Sequence, residues 1–226
     1  MTRSEAGREI RSGCVTVNGG VVRRPEQKID ETADSVCRNG MPCLYRRFLY
    51  CLLDKPTGVI TASRDKRQET VLELFPPEIR RQGIAPVGRL DKDTSGLLLL
   101  TNDGEFAHRV ISPKYGVEKV YRATVSAPLE PGDPERFREG LILADGTACL
   151  PAGLEILSER ECLVTVREGK YHQVRRMLAA VGKPVLTLRR ISLGPLQVEP
   201  GPGEGRYREL SEQELCMMFK LLHMEK

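Results

Sequence analysis

The run Leu97-Leu98-Leu99-Leu100 constrains this chain more than any other feature, because it follows directly on Gly88-Arg89-Leu90-Asp91-Lys92-Asp93-Thr94-Ser95-Gly96. Four leucines in a row, closed by the turn-forming Asn102-Asp103-Gly104, read as a strand buried on both faces. A group of charges therefore stands at the mouth of a low-dielectric core. Carboxylates in such a place are costly unless paired, and such places are where chemistry concentrates.

The flanking segments suggest how the strand is housed. Thr2 and Glu5 have capping-box spacing and Gly13 falls where a helix stops, so a helix is expected over the first twelve residues. Val15-Thr16-Val17, Asn18-Gly19 and Val21-Val22 read as a hairpin. The polar stretch from Pro25 to Asn39, followed by Gly40 and Pro42, reads as a boundary with a linker near 40–46. That gives domains 1–46 and 47–226. In the second, Phe48 to Leu53 predicts a strand, Lys55-Pro56-Thr57-Gly58 a turn, Val59 to Ala62 a resumption of that strand, and Thr70 to Phe75 a short helix ended by Pro76-Pro77. Leu97–Thr101, Lys119–Val125 and Cys162–Val166 are expected strands. A helix is expected through Phe106 and Val110 as far as Pro113. Val174, Met177, Leu178 and Val181 recur at helical spacing ahead of Gly182. Helices interleaved irregularly among many strands predict an α+β fold, not a doubly wound sheet.

No apolar run approaches the roughly 18 residues that a membrane span needs, and no basic-then-apolar leader opens the chain, so a cytoplasmic protein without membrane contact is expected. The seven cysteines lack any C-x-x-C pair and are expected to be reduced. The net charge of +4 identifies no partner, but its distribution is uneven. From Lys170 to Arg190 there are six basic residues and no Asp or Glu. Such a field suits phosphate or an RNA backbone, although a solvated basic face is the ordinary reading of a patch this size.

At the acidic loop three readings compete. Asp91, Asp93, Ser95 and Gly96 match the first half of a calcium loop, but its twelfth position is Asn102 in place of a bidentate Glu. In a purely structural reading Asp91 or Asp93 caps a turn and Arg89 pairs with it. In the third, Asp91 is a nucleophile or base, which demands a cation to keep it ionised. Arg175, placed by its helix, is the candidate. His108, His172 and His223 have no ligand spacing, so no metal is expected. Neither a G-x-S-x-G elbow nor a phosphate-cradling glycine loop is present. Tyr121 shares a strand face with Lys119 and can stack on a flat base. A tyrosine half-buried in a sheet is the plainer alternative.

Lys55-Pro56-Thr57-Gly58, Val87 through Gly104, Glu118-Lys119-Val120-Tyr121 and Gly169 through Met177 occur in the order of the motifs of the RsuA/RluB/RluE/RluF family of pseudouridine synthases. The chain closely resembles that family over about residues 47–210. The resemblance implies a cofactor-free conversion of uridine in ribosomal RNA to its C-glycoside. It implies Asp91 as the catalytic aspartate, Tyr121 as the tyrosine beside the uracil and Arg175 as the salt-bridge partner of Asp91. Asp54 stands where the family commonly has Asn. Arg3 through Gly19 resemble the latter part of an S4 RNA-binding module, whose opening helix would fall before Met1. RNA contacts are expected from Arg3, Arg8 and Arg11 there, and from Lys55, Arg89, Lys119, Lys170, His172 and Arg176 around the cleft. Ile111-Ser112-Pro113-Lys114 and Leu150 through Glu155 look more like the small-subunit, 16S rRNA enzymes. A monomer acting on ribosomal RNA, alone or within an assembling small subunit, is expected. A large-subunit 23S rRNA enzyme and a non-catalytic assembly factor are the alternatives.

Overall fold

The computed structural model describes residues 1–31, 33–43, 47–198 and 204–225. The chain divides into two compact units, Met1–Arg47 and Phe48–Lys226.

The first unit opens with α1 (Arg3–Ser12), started by the expected capping box of Thr2 and Glu5 and closed by Gly13 at φ 83°. β1 (Val15–Val17) and β2 (Gly20–Val22) pair antiparallel across Asn18-Gly19. Asn39-Gly40, which reads from sequence as part of a boundary, is a second such turn. It joins β3 (Val36–Arg38) to β4 (Met41–Pro42), with φ of 50° and 77° at the two turn residues. β3 also pairs with β1, making a four-stranded sheet in the order β2-β1-β3-β4. The rest of the expected linker, residues 44–46, lies outside the described residues.

The second unit runs β5 (Tyr50–Lys55), α2 (Pro77–Arg80), β6 (Ala85–Pro86), β7 (Thr94–Thr101), α3 (Gly104–Ile111), β8 (Lys119–Val125), α4 (Asp133–Glu139), β9 (Gly153–Ser158), β10 (Glu161–Val166), α5 (Gln173–Ala180), β11 (Val185–Leu193), β12 (Leu196–Gln197), β13 (Tyr207–Glu209) and α6 (Glu212–Leu221). Its sheet has the order β13-β5-β7-β11-β8-β10-β9, with β6 on β7 and β12 on β11. β7 and β11 are parallel, whereas β5 with β7 and β8 with β11 are antiparallel. The fold is α+β. Three local expectations are corrected. β5 extends to Lys55, so that lysine belongs to a strand instead of a turn. Residues 59–62 form no strand beyond a bridge from Ile60 to Thr70. Residues 71–74 form turns, and the helix starts at Pro77, where a first-turn N–H is spare and proline's fixed φ suits the helix.

β7 is buried along its whole length because a separate core covers each face. Leu97 and Leu99 pack with Tyr50, Leu52 and Phe106, while Leu98 and Leu100 pack with Leu53, Val71 and Phe75. Burying each leucine contributes about 1.5–3 kcal/mol. A third core places Val174, Met177 and Leu178 of α5 against Ala123, Val164 and Val166 of the sheet. Between β7 and β11 the backbones meet at Gly96 (φ 100°), where an added Cβ would stand 2.2 Å from the Arg190 carbonyl oxygen. Only glycine allows that approach.

Candidate active site

The loop ahead of β7 is held from beneath by Lys55. This side chain is 0% exposed, and its Nζ donates to the carbonyls of Pro56 (3.0 Å), Asp91 (3.1 Å), Lys92 (3.3 Å) and Thr94 (2.9 Å). Burial pushes the ammonium down to about 8, against the pull of Asp91, Asp93 and Glu204. Thr61 Oγ1 donates to the Leu90 carbonyl at 2.7 Å, and the Gly58 N–H donates to the Lys92 carbonyl at 2.8 Å. Most of the backbone around Asp91 is thereby fixed, and its side chain is left to face outward.

The Asp91 side chain is 29% exposed, and its Oδ1 lies 3.4 Å from His172 Nε2. His172 stands at the start of α5 in the left-handed region (φ 47°), its ring stacked on Tyr171 at a centroid distance of 3.9 Å. Arg175, one turn further on, does not pair with Asp91, which corrects the sequence expectation. Its Nη2 meets the Asp93 carboxylate at 3.0 Å and the Asp93 carbonyl at 3.1 Å. The reason is geometric: Lys55 gathers the carbonyls of residues 91, 92 and 94, so the Asp91 and Asp93 side chains fan out along the N-terminal end of α5. The first meets His172 and the second Arg175. Arg175 Nε is buried without a partner.

Two further expectations change. Lys55 and Lys119, expected from sequence to touch RNA, are both buried, so neither lies on an exposed phosphate-binding surface. Lys119 Nζ donates to the Val117 carbonyl at 2.9 Å, and burial, reinforced by the charge of Arg190, pushes it down to about 8. Lys170 is held by buried Glu168 (2.5 Å) and the Ala148 carbonyl (2.9 Å), and Arg176 by Asp145 (2.5 Å). Arg89 is exposed, as are Arg3, Arg8 and Arg11 on α1.

Tyr121 is half-buried, packed against the core that contains Leu90 and the core that contains Val174. Its hydroxyl accepts from Arg190 Nη1 at 3.5 Å. In the sequence Arg190 stands out only as one member of a basic stretch. The signal that points to it is its place in a strand, two residues beyond Leu188 and three before Leu193, both of which are buried. Asp54, the departure from the family pattern, is buried and pairs with Arg189 at 2.7 Å.

The family model described as RNA pseudouridylate synthase matches residues 49–180, a span that includes the acidic loop, Tyr121 and Arg175. The chain belongs to the RNA pseudouridylate synthase family. The S4 domain model matches residues 2–34 of this pseudouridine synthase. The ribosomal small subunit pseudouridine synthase A of Vibrio cholerae is 40% identical over 220 residues, covering 97% of this chain and 94% of that protein. An uncharacterized RNA pseudouridine synthase of Bacillus subtilis, YtzG, is 38% identical over 221 residues, covering 96% and 92%. A crystal structure of a pseudouridylate synthase matches this one with a TM-score of 0.71 at 34% identity, covering 96% of this chain and 94% of that chain.

Proposed function

We propose that this pseudouridine synthase isomerises a uridine of small-subunit ribosomal RNA, using Asp91 to open the glycosidic bond and no cofactor. The similarity to enzymes named for the ribosomal small subunit supports the RNA class. The placement of Asp91 carries the chemistry: a partly exposed carboxylate on a loop whose backbone is pinned by a buried ammonium.

Pinning matters because a reacting group held in position contributes to rate by removing the entropy of alignment. The target nucleotide leaves its stack at a cost of about a few kcal/mol. Asp91 either attacks C1′ to form a glycosyl ester or takes the C2′ proton as the base leaves, making the sugar a glycal and returning the proton to C2′ when C5 bonds; both routes break the C1′–N1 bond. The ring then turns and bonds through C5. Tyr121, or water beside it, takes the C5 proton. Water must be kept from C1′, since hydrolysis would leave an abasic site. We assign Arg175 to holding Asp93, and through it the loop, and His172 to orienting the Asp91 carboxylate.

Incubation with unmodified 16S and 23S transcripts, followed by carbodiimide mapping of reverse-transcription stops, tests the reading. A new stop in 16S RNA is the expected result. Stops confined to 23S RNA would overturn the small-subunit assignment, and RNA binding without any stop would favour the assembly factor.

A further inference from the structure

Arg190 and Lys119 are two cations on one face of neighbouring strands. Arg190 stands opposite Tyr121 in the β11–β8 register, and Lys119 lies two residues from Tyr121 along β8. Arg190 is 3% exposed and Lys119 8%. Neither has a carboxylate within salt-bridge reach among the described residues. Arg190 Nε donates to the Leu97 carbonyl at 2.7 Å, its Nη1 reaches the Tyr121 hydroxyl, and its Nη2 is buried with no partner. A buried guanidinium with an unmet donor is expensive, and such a donor marks a candidate place for a ligand or an ordered water to complete it.

Two anionic chemistries from an RNA substrate could meet these donors. A backbone phosphate is bulky and strongly hydrated, and it suits the exposed arginines of a rim better than a guanidinium that is 3% exposed. A flat base seated against Tyr121 suits the buried pair. We propose that Arg190 and Lys119 bind the departing uracil of the isomerisation, donating to its carbonyl oxygens as the ring becomes anionic. This rests on the isomerase reading above. When C1′–N1 breaks, the bonding pair passes to the ring and spreads over N1, O2 and O4. The charge stays there until C5 bonds to C1′. The C5 proton then leaves and N1 takes one up, so the product ring is neutral. Donors fixed where that charge appears lower the barrier without reorganising.

The test compares the full-length parent, Arg190→Met, Arg190→Lys and Lys119→Met in single turnover on a uridine transcript and on its 5-fluorouridine counterpart. The fluorine draws charge from the ring, so its departure needs less help from the protein. Scission of C1′–N1 is read by nucleoside chromatography, and RNA affinity is read separately at several salt concentrations. Arg190→Met is expected to slow the uridine reaction by roughly 10²- to 10³-fold with affinity unchanged. The deficit should shrink on the fluorinated substrate, and Arg190→Lys should recover part of the rate. If Arg190→Met does not fold, Lys119→Met carries the same two-substrate comparison. Parent-like rates in the variants, or an equal deficit on both substrates, would overturn the proposal. So would weakened affinity with a shallower salt dependence, which would mark a phosphate site. A parent that turns over neither substrate would instead bring down the isomerase reading itself.

Discussion

Asp91 has an imidazole neighbour in His172 at 3.4 Å, while the guanidinium of Arg175 is spent on Asp93. Asp91→Ala is expected to lower isomerisation by at least ~10³-fold, as loss of a nucleophile does, with RNA binding retained in a filter or gel-shift assay. Arg175→Ala acts less directly. Losing the tie to Asp93 leaves the loop free to shift, so a fall of about 10²-fold in kcat is expected, measured under saturating RNA. Lys119 makes a different prediction. Its folded pKa, about 8, lies below the ordinary lysine value, so between about 8 and 10.5 the unfolded chain binds more protons than the folded one. The stability of the parent relative to Lys119→Met should therefore rise with pH through that window, by up to about 1.4 kcal/mol per unit; urea denaturation at pH 7.5 and 9.5 measures it. Buried cations of this kind were not legible in the sequence. Lys55, Lys119 and Arg190 carry the composition of surface residues, and only the strands around them, with the carbonyls those strands present, make their burial tolerable.

At the level of elements, β7 was legible because its leucines have no amphipathic alternative, and α1 because its cap residues satisfy specific backbone donors. β11 was not. Its basic residues suggested a solvated face, yet it runs parallel to β7 through the middle of the sheet. Arg189 is held by Asp54, far away in sequence, and by Glu204, and no local pattern announces either. The β3–β4 hairpin was overlooked for another reason: its flanking strands are too short to alternate, although Asn39-Gly40 repeats the turn at Asn18-Gly19. The junction of β7 and β11 is the point at which to test the architecture. Gly96→Ala combines a positive φ with a methyl group 2.2 Å from a backbone oxygen, so a loss on the order of 3 kcal/mol in chemical denaturation is expected.

Over the whole molecule, the two family matches fall in separate units of the chain. The S4 match covers residues 2–34, and Arg3, Arg8 and Arg11 stand exposed on α1. Replacing the three by alanine should weaken RNA binding, and each phosphate that thereby goes without its arginine should reduce the slope of log affinity against log salt by about 1. Turnover at saturating RNA should hold. Titrations at several salt concentrations, beside single-turnover rates, separate the two effects. The double-sided burial of β7 bears on the substrate as well. In the proposed reaction the carboxylate hangs from a loop anchored to that strand by Lys55, so the RNA does the yielding.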